Sequence, residues 1–263
     1  MSSLAKKFIM AFTGIILVGF ALGHMAGNLQ MFLHPDWINE YAYKLQTLPY
    51  GLLWIVRGGL LLAVVAHILA AVALVLENKK ARPEKYAVKH NLQASFASRT
   101  MRYSGLIVLA FILFHIAHYT TQNINPAFRT LETPLLGVDS GHGYNHSQTL
   151  WGVYDKLTEH GQNPDSPANN VHDVYSMVAN GFRSPIVSGF YLIAMALLSI
   201  HLSHGVSSMF QSLGLRNAVW RPRLDKLAVI IGVVVFLGFS SIPVACLAGF
   251  IQPTQVIASC CGL

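Results

Sequence analysis

The chain has 263 residues, 53% of them hydrophobic and only 11% charged, with a formal net charge of +7. Soluble domains carry roughly 25% charged residues, so an ordinary water-soluble globular protein is excluded. The positive excess does not point to nucleic acid either, because its division among the loops between apolar stretches is first a topology signal.

Five apolar stretches, at about 8–33, 51–76, 103–124, 185–210 and 226–250, are each long enough to cross a hydrocarbon core. None contains Asp or Glu, and Arg57 is the one firmly internal charge. Barrel strands would instead show short alternating segments. The expectation is an all-α membrane protein, a single membrane-anchor domain of five transmembrane helices. The first stretch is too long for a signal-peptide core and lacks a clean cleavage site, so it reads as a retained helix.

Between the first two stretches, 34–50 reads as a loop with an interfacial aromatic cluster of Trp37, Tyr41, Tyr43 and Tyr50. The loop 77–102 carries a charged stop, with Pro83 ending the helix. The segment 125–184 is the largest non-membrane part. Its stretch 134–170, rich in Gly, Pro, Asn, Asp and Ser, reads as loop. A short interfacial helix is expected near 171–182, with Val171, Val174, Tyr175 and Val178 on one face. Pro185 then opens the fourth span. No internal repeat is expected, and no broken helices of the kind that build inverted-repeat transporters.

An odd number of spans puts the termini on opposite sides. Residues 1–7, 77–102 and 211–226 hold 13 of the 18 basic residues against Glu77, Glu84 and Asp225. The positive-inside rule therefore places the N-terminus in the cytoplasm. Cys246, Cys260 and Cys261 have neither metal-ligand spacing nor a CxxCH attachment motif, so any haem would be non-covalent.

Four of the spans carry histidine at membrane depth: His24, His67, the pair His115 and His118, and the pair His201 and His204. A polar imidazole in hydrocarbon is costly and marks a functional site by default. Proton relays built on histidine usually include intramembrane Asp or Glu, which these spans lack. Four helices that each turn a histidine inward supply the axial ligands of two bis-histidine haems. Counted from the cytoplasmic ends, His24 lies ~24 Å deep, His115 and His118 ~18–22 Å, and His67 and His201 ~14 Å. The histidines thus fall on two levels, offset by ~10 Å. Depth slightly favours His118 over His115 opposite His24, and His201 over His204 opposite His67. Gly14, Gly19, Gly23, Gly27, Gly105 and Gly205 suit either the close approach of a flat ring or ordinary helix packing. The histidines on the outer side of the membrane, His34, His142, His146, His160 and His172, have no tight metal spacing and are assigned no role.

The run from Met10 to Leu17, with Thr13-Gly14 inside it, and the run Gly23-His24-Met25-Ala26-Gly27-Asn28-Leu29-Gln30 resemble a known family. It is the cytochrome b membrane anchor of dihaem succinate:quinone oxidoreductases, the single-subunit, five-helix type of bacterial succinate dehydrogenases and fumarate reductases. Asn78 to Pro83 with Tyr86-Ala87, Gly105 ahead of Phe114-His115, and His201 to Gly205 leading to Gln211 and Gly214-Leu215 carry the same resemblance. It spans nearly the whole chain except 125–184, which is longer than the family's usual outer segment.

The resemblance implies two haem b groups, the distal one ligated by His24 and His115 and the proximal one by His67 and His201. It implies a flavoprotein subunit and an iron–sulfur subunit on the cytoplasmic side of a bacterial inner membrane, with the basic face as a docking surface. Electrons would pass from the iron–sulfur subunit through the haems to a quinone, with menaquinone expected. The chain itself would not catalyse succinate oxidation. Candidates near the haem propionates are Thr13, Arg99, Arg102, Arg183 and His204, with His118 beside a haem; candidates for the quinone are Asn28, Gln30, Tyr41, Lys44 and Arg57. Competing readings are the cytochrome b anchor of a hydrogenase or formate dehydrogenase, and a haem-free transporter or assembly scaffold.

Overall fold

A computed structural model describes residues 2–81, 96–134 and 170–257. The Pro83 stop, the Tyr86-Ala87 match, nearly all of the loop read at 134–170, and Cys260-Cys261 lie outside the described residues.

In chain order the helices are α1 (Ser3–Asn28), α2 (Pro35–Gln46), α3 (Leu52–Lys80), α4 (Phe96–His115), α5 (Val174–Phe182), α6 (Pro185–Ser212) and α7 (Arg221–Leu247). A 3-10 turn, Leu29–Phe32, extends α1, and a π turn, Ile116–Thr120, extends α4. With these extensions α1, α3, α4, α6 and α7 are the five helices long and apolar enough to cross a membrane. Their limits follow local chemistry. Ser2 caps α1 by accepting a hydrogen bond from the Ala5 amide at 3.2 Å, and Ser184 caps α6 ahead of Pro185 in its first turn. The third span begins earlier than expected, at Phe96, because Arg99 and Arg102 continue the helix on its exposed end.

Packing between spans cannot rely on the hydrophobic effect, since lipid tails are as apolar as the helix faces, and close backbone approach takes over. The broadest contact is α6 against α7. Gly232 makes part of it possible, because a Cβ there would sit 2.8 Å from the Ser199 carbonyl oxygen. Helix α1 packs on α3 and α6, and α4 packs on α6. The pairs α1–α4 and α3–α6 are not in broad backbone contact, which leaves room between them for side chains.

Away from the N-terminal end, the connecting segments fold into a cap. Residues 34–50 form a helix rather than the expected loop. His34 accepts from the Asp36 amide, Pro35 begins α2, and Glu40 pairs with Lys44 at 2.7 Å one turn on. The aromatic cluster is also split: Tyr41 packs on Gly27 of α1, whereas Tyr50 is fully exposed at a left-handed turn with Gly51. The expected interfacial helix starts later, at Val174, and is buried on every side rather than on one face. Val171 belongs instead to strand β2 (Asn170–His172), which pairs antiparallel with β1 (Glu132–Pro134), Glu132 opposite His172.

A water-type core closes this cap. Phe128, Met31, Ile38, Leu131, Met177 and Phe182 are all buried in it, each side chain contributing about 1.5–3 kcal/mol. A buried polar network ties it together. Asp173 accepts from the Asn39 side chain (3.2 Å), the Ser176 amide (2.9 Å) and the Thr254 hydroxyl (3.1 Å). Asn180 donates to the Gln255 carbonyl at 2.6 Å and accepts from the Ile257 amide at 3.2 Å. The C-terminal residues after α7 are thereby stitched to α5. At the opposite, basic end, Glu77 of α3 pairs with Lys6 and Ser3 of α1, and Arg216 grips Asp225 through two nitrogens.

Candidate functional site

The histidines of the spans assemble into two pairs, each reaching across one of the uncontacted helix pairs. At the basic end are His67 of α3 and His201 of α6. The Nδ1 of His67 lies 3.0 Å from the Thr13 hydroxyl, and the Nδ1 of His201 lies 3.3 Å from the Ser104 hydroxyl. Each hydroxyl has a single proton, and each already faces a carbonyl of its own helix: Thr13 donates to Ile9 at 2.8 Å, and Ser104 to Met101 at 3.1 Å. With the hydroxyl protons on those carbonyls, each oxygen can accept from Nδ1–H, an arrangement that leaves the lone pair of a neutral imidazole on Nε2. This is how a metal-ligating histidine is usually held, its far nitrogen donating to a fixed acceptor.

Glycines let these rings lie against the neighbouring helices. A Cβ at Gly14 would be 3.9 Å from the His67 Cε1, and one at Gly105 only 3.3 Å from the His201 Cε1. Among the six glycines offered for ring approach, these two meet histidine rings; Gly27 meets Tyr41 and Gly205 meets Met101.

Towards the cap lies the second pair, His24 of α1 and His115 of α4. Their ring centroids are 5.8 Å apart with planes at 81°. Phe20 stacks on His24 at 5.3 Å, and Phe111 leans on His115 at 5.8 Å. Asn28 rests its amide nitrogen 3.3 Å from the His24 Nδ1, and the Tyr191 hydroxyl lies 3.4 Å from the His115 Nδ1. His118, which depth favoured, does not face His24. It is wholly buried, with Tyr191 at 3.1 Å from Nδ1 and Asn125 at 3.3 Å from Nε2. Both its nitrogens have partners, whereas the half-buried His115 meets Tyr191 through Nδ1; Asn28 lies near both nitrogens of His24, 3.4 Å from Nε2.

The two pairs share one register. Thr13-Gly14, Phe20 and His24 on α1 recur on α4 as Ser104-Gly105, Phe111 and His115, with identical spacing. A similarity of this kind was not expected from whole-span comparison. It is the signal that identifies Ser104, a residue sequence reasoning missed. The eleven-residue step from hydroxyl to histidine on each helix separates the two levels by about 16 Å, rather than ~10 Å. The difference arises because span ends, from which depth was counted, are set by loops rather than by the site.

Residues expected around the pairs are dispersed. Arg99, Arg102 and Arg183 are exposed; Arg102 lies over the Tyr103 ring at 5.9 Å, and Arg183 closes α5. His204 is half-buried one turn beyond His201, towards Arg216 and Asp225. Lys44 is engaged by Glu40, and Gln30 sits in the turn after α1. Arg57, one of the quinone candidates, lines a cavity of about 400 Å³ with Gln46, Trp54, Gln122, Arg129 and His172. His172 was assigned no role. Its Nδ1 bonds the Leu131 carbonyl at 3.0 Å, and its Nε2 lies 2.9 Å from Gln122. Burial holds its pKa below the ordinary 6.5, against the opposing pull of Leu131, Asp173 and Glu132.

Among the described residues, no three His, Cys, Asp or Glu side chains converge on one point as a self-contained metal site would require. Two imidazoles per level, with Phe20 and Phe111 against the pair near the cap, are a donor set that would fit the iron of a tetrapyrrole. No protein-family description, curated protein or solved structure matched the chain.

Proposed function

We propose that this membrane protein is the dihaem cytochrome b anchor of a succinate:quinone oxidoreductase. It would pass electrons between a cytoplasmic iron–sulfur subunit, itself joined to a flavoprotein, and a membrane quinone, with menaquinone expected. The observation that carries this reading is the pair of histidine pairs on two levels, with the Nδ1 of His67 and His201 each within hydrogen-bond reach of a hydroxyl on the neighbouring helix. Bound haem b supplies a one-electron carrier, closed to oxygen by its two imidazole ligands.

The chain's own part is to hold and orient. Thr13 and Ser104 fix the His67 and His201 rings, while Phe20 and Phe111 wall His24 and His115. The cap seals the far end of the bundle from water. The basic end, where Arg99, Arg102, Arg221 and Arg223 are exposed, would be the surface offered to the iron–sulfur subunit, with the N-terminus in the cytoplasm of a bacterial inner membrane. The cavity beside Arg57 and Gln122 offers donors to quinone carbonyls at the opposite end.

Purification of the intact complex from detergent-solubilised membranes tests the proposal. Co-purification with a flavoprotein and an iron–sulfur protein, and succinate-dependent quinone reduction, are the expected results. Co-purification with a nickel or molybdenum enzyme instead would assign the chain to a hydrogenase or formate dehydrogenase.

A further inference from the structure

Tyr191 is placed unlike any other hydroxyl in the spans. It lies on α6, ten residues before His201, and its side chain reaches His115 on α4. The residue is only 5% exposed. Its ring is clamped edge-on by Phe182 at 4.9 Å and by Phe111 at 5.0 Å. The hydroxyl stands between two histidines, 3.4 Å from the His115 Nδ1 and 3.1 Å from the His118 Nδ1. His118 in turn meets the side-chain amide of Asn125 through Nε2, at 3.3 Å.

This row of groups has two possible polarities. If Tyr191 donates to His115, that imidazole carries its proton on Nε2 and presents no lone pair to the gap. If His115 donates from Nδ1–H to the Tyr191 oxygen, its Nε2 is free, and the Tyr191 proton passes to the His118 Nδ1. His118 then donates from Nε2–H, and the Asn125 amide presents its oxygen, an orientation that exchanges two atoms indistinguishable by shape. Of the two, the second polarity leaves the His115 Nε2 able to ligate.

We propose that Tyr191, backed by His118 and Asn125, is the positioning residue of the site near the cap: it fixes the Nε2 lone pair of His115 and, by accepting from Nδ1–H, holds the potential of the haem there low. This rests on the dihaem reading above. It also gives His118 a role, as the acceptor that keeps the Tyr191 proton away from His115. The site at the basic end reaches the same result by other means, since helix carbonyls take the protons of Thr13 and Ser104. An acceptor on Nδ1–H makes an imidazole more basic and favours ferric over ferrous iron.

The test is a spectroelectrochemical titration of the purified, haem-loaded protein and of its Tyr191→Phe and His118→Leu variants. Phe keeps the clamped ring and removes only the hydroxyl. The expected result is about a tenfold loss of ferric preference at one haem, an upward shift of about 59 mV for a one-electron couple. The other haem stays in place. His118→Leu, which frees the Tyr191 proton to turn towards His115, shifts the same step in the same direction. Ser104→Ala supplies the converse, moving the other step alone. Should Tyr191→Phe not accumulate, the His118→Leu titration decides. Two haems with wild-type potentials in the variants that accumulate would overturn the proposal while leaving the dihaem reading intact. A wild-type protein without haem would overturn that reading and the proposal with it.

Discussion

Replacing Thr13 by Val tests the architecture of the site at the basic end. The two side chains have nearly the same shape, so packing on the α1–α3 face is kept while the hydroxyl is lost. Thr13 is 7% exposed, and its oxygen lies 3.0 Å from the His67 Nδ1. No water can readily replace it at that depth. The variant leaves His67 with the Met10 backbone as its remaining partner, so the loss is that of one hydrogen bond, about 0.5–1.5 kcal/mol, or roughly 2- to 13-fold in affinity for whatever His67 ligates. The Ile9 carbonyl is spared, because it keeps its bond within the helix. Haem transfer from the purified protein to excess competing haem-binding protein, followed at the Soret band, measures the effect. One haem of two should leave faster and at lower competitor concentration, with its potential raised. Ser104→Ala should weaken the same haem through the opposite ligand, and by less, since its contact is longer at 3.3 Å. Unchanged affinity and potential of both haems in Thr13→Val would refute the reasoning, as would an effect on the haem between His24 and His115.

Single alanine replacements of His24, His67, His115 and His201 should each remove one haem per chain, counted as pyridine haemochrome, whereas His118→Ala and His204→Ala should retain both. Asp173→Ala should destabilise the cap by about 3–5 kcal/mol, as a lost helix cap plus two buried hydrogen bonds, seen as a lower unfolding midpoint in detergent with the spans still helical. The depressed pKa of His172 makes the cap dependent on pH. Below about 6.5 the unfolded chain takes up a proton that the folded cap resists, so cap stability is full above that pH and falls as the pH drops. Amide exchange of the 131–134 and 170–172 strands should accelerate on acidification, and His172→Gln should remove that acceleration.

The spans were legible because hydrocarbon tolerates only continuous apolar helices, and composition alone exposes them. The histidines were legible for the complementary reason, that an imidazole in lipid is out of place. Thr13, Ser104 and Tyr191 are different. Hydroxyls in spans are common because they bond back to their own helix, so Ser104 and Tyr191 carried no anomaly until their partners were in view. The repeated spacing from Thr13 to His24 and from Ser104 to His115 was present in the sequence, but confined to four positions of otherwise dissimilar spans. Depth favoured His118 because it was counted from uncertain ends; what decides between it and His115 is which nitrogens are already occupied. Helix α2 carried its own signals in His34-Pro35-Asp36 and the Glu40–Lys44 spacing, outweighed by the aromatics around it. The burial of α5 depends on Asn39 and Thr254, distant in sequence, and no local pattern records that.

The central claim is two haems per chain, each between two histidines. The most direct measurement is a reduced-minus-oxidised spectrum of the purified protein, with haem and protein quantified on the same sample. The account predicts b-type bands from two haems per chain, titrating in two steps. A protein of full length and native fold showing no b-type band would contradict it and favour a haem-free transporter or scaffold.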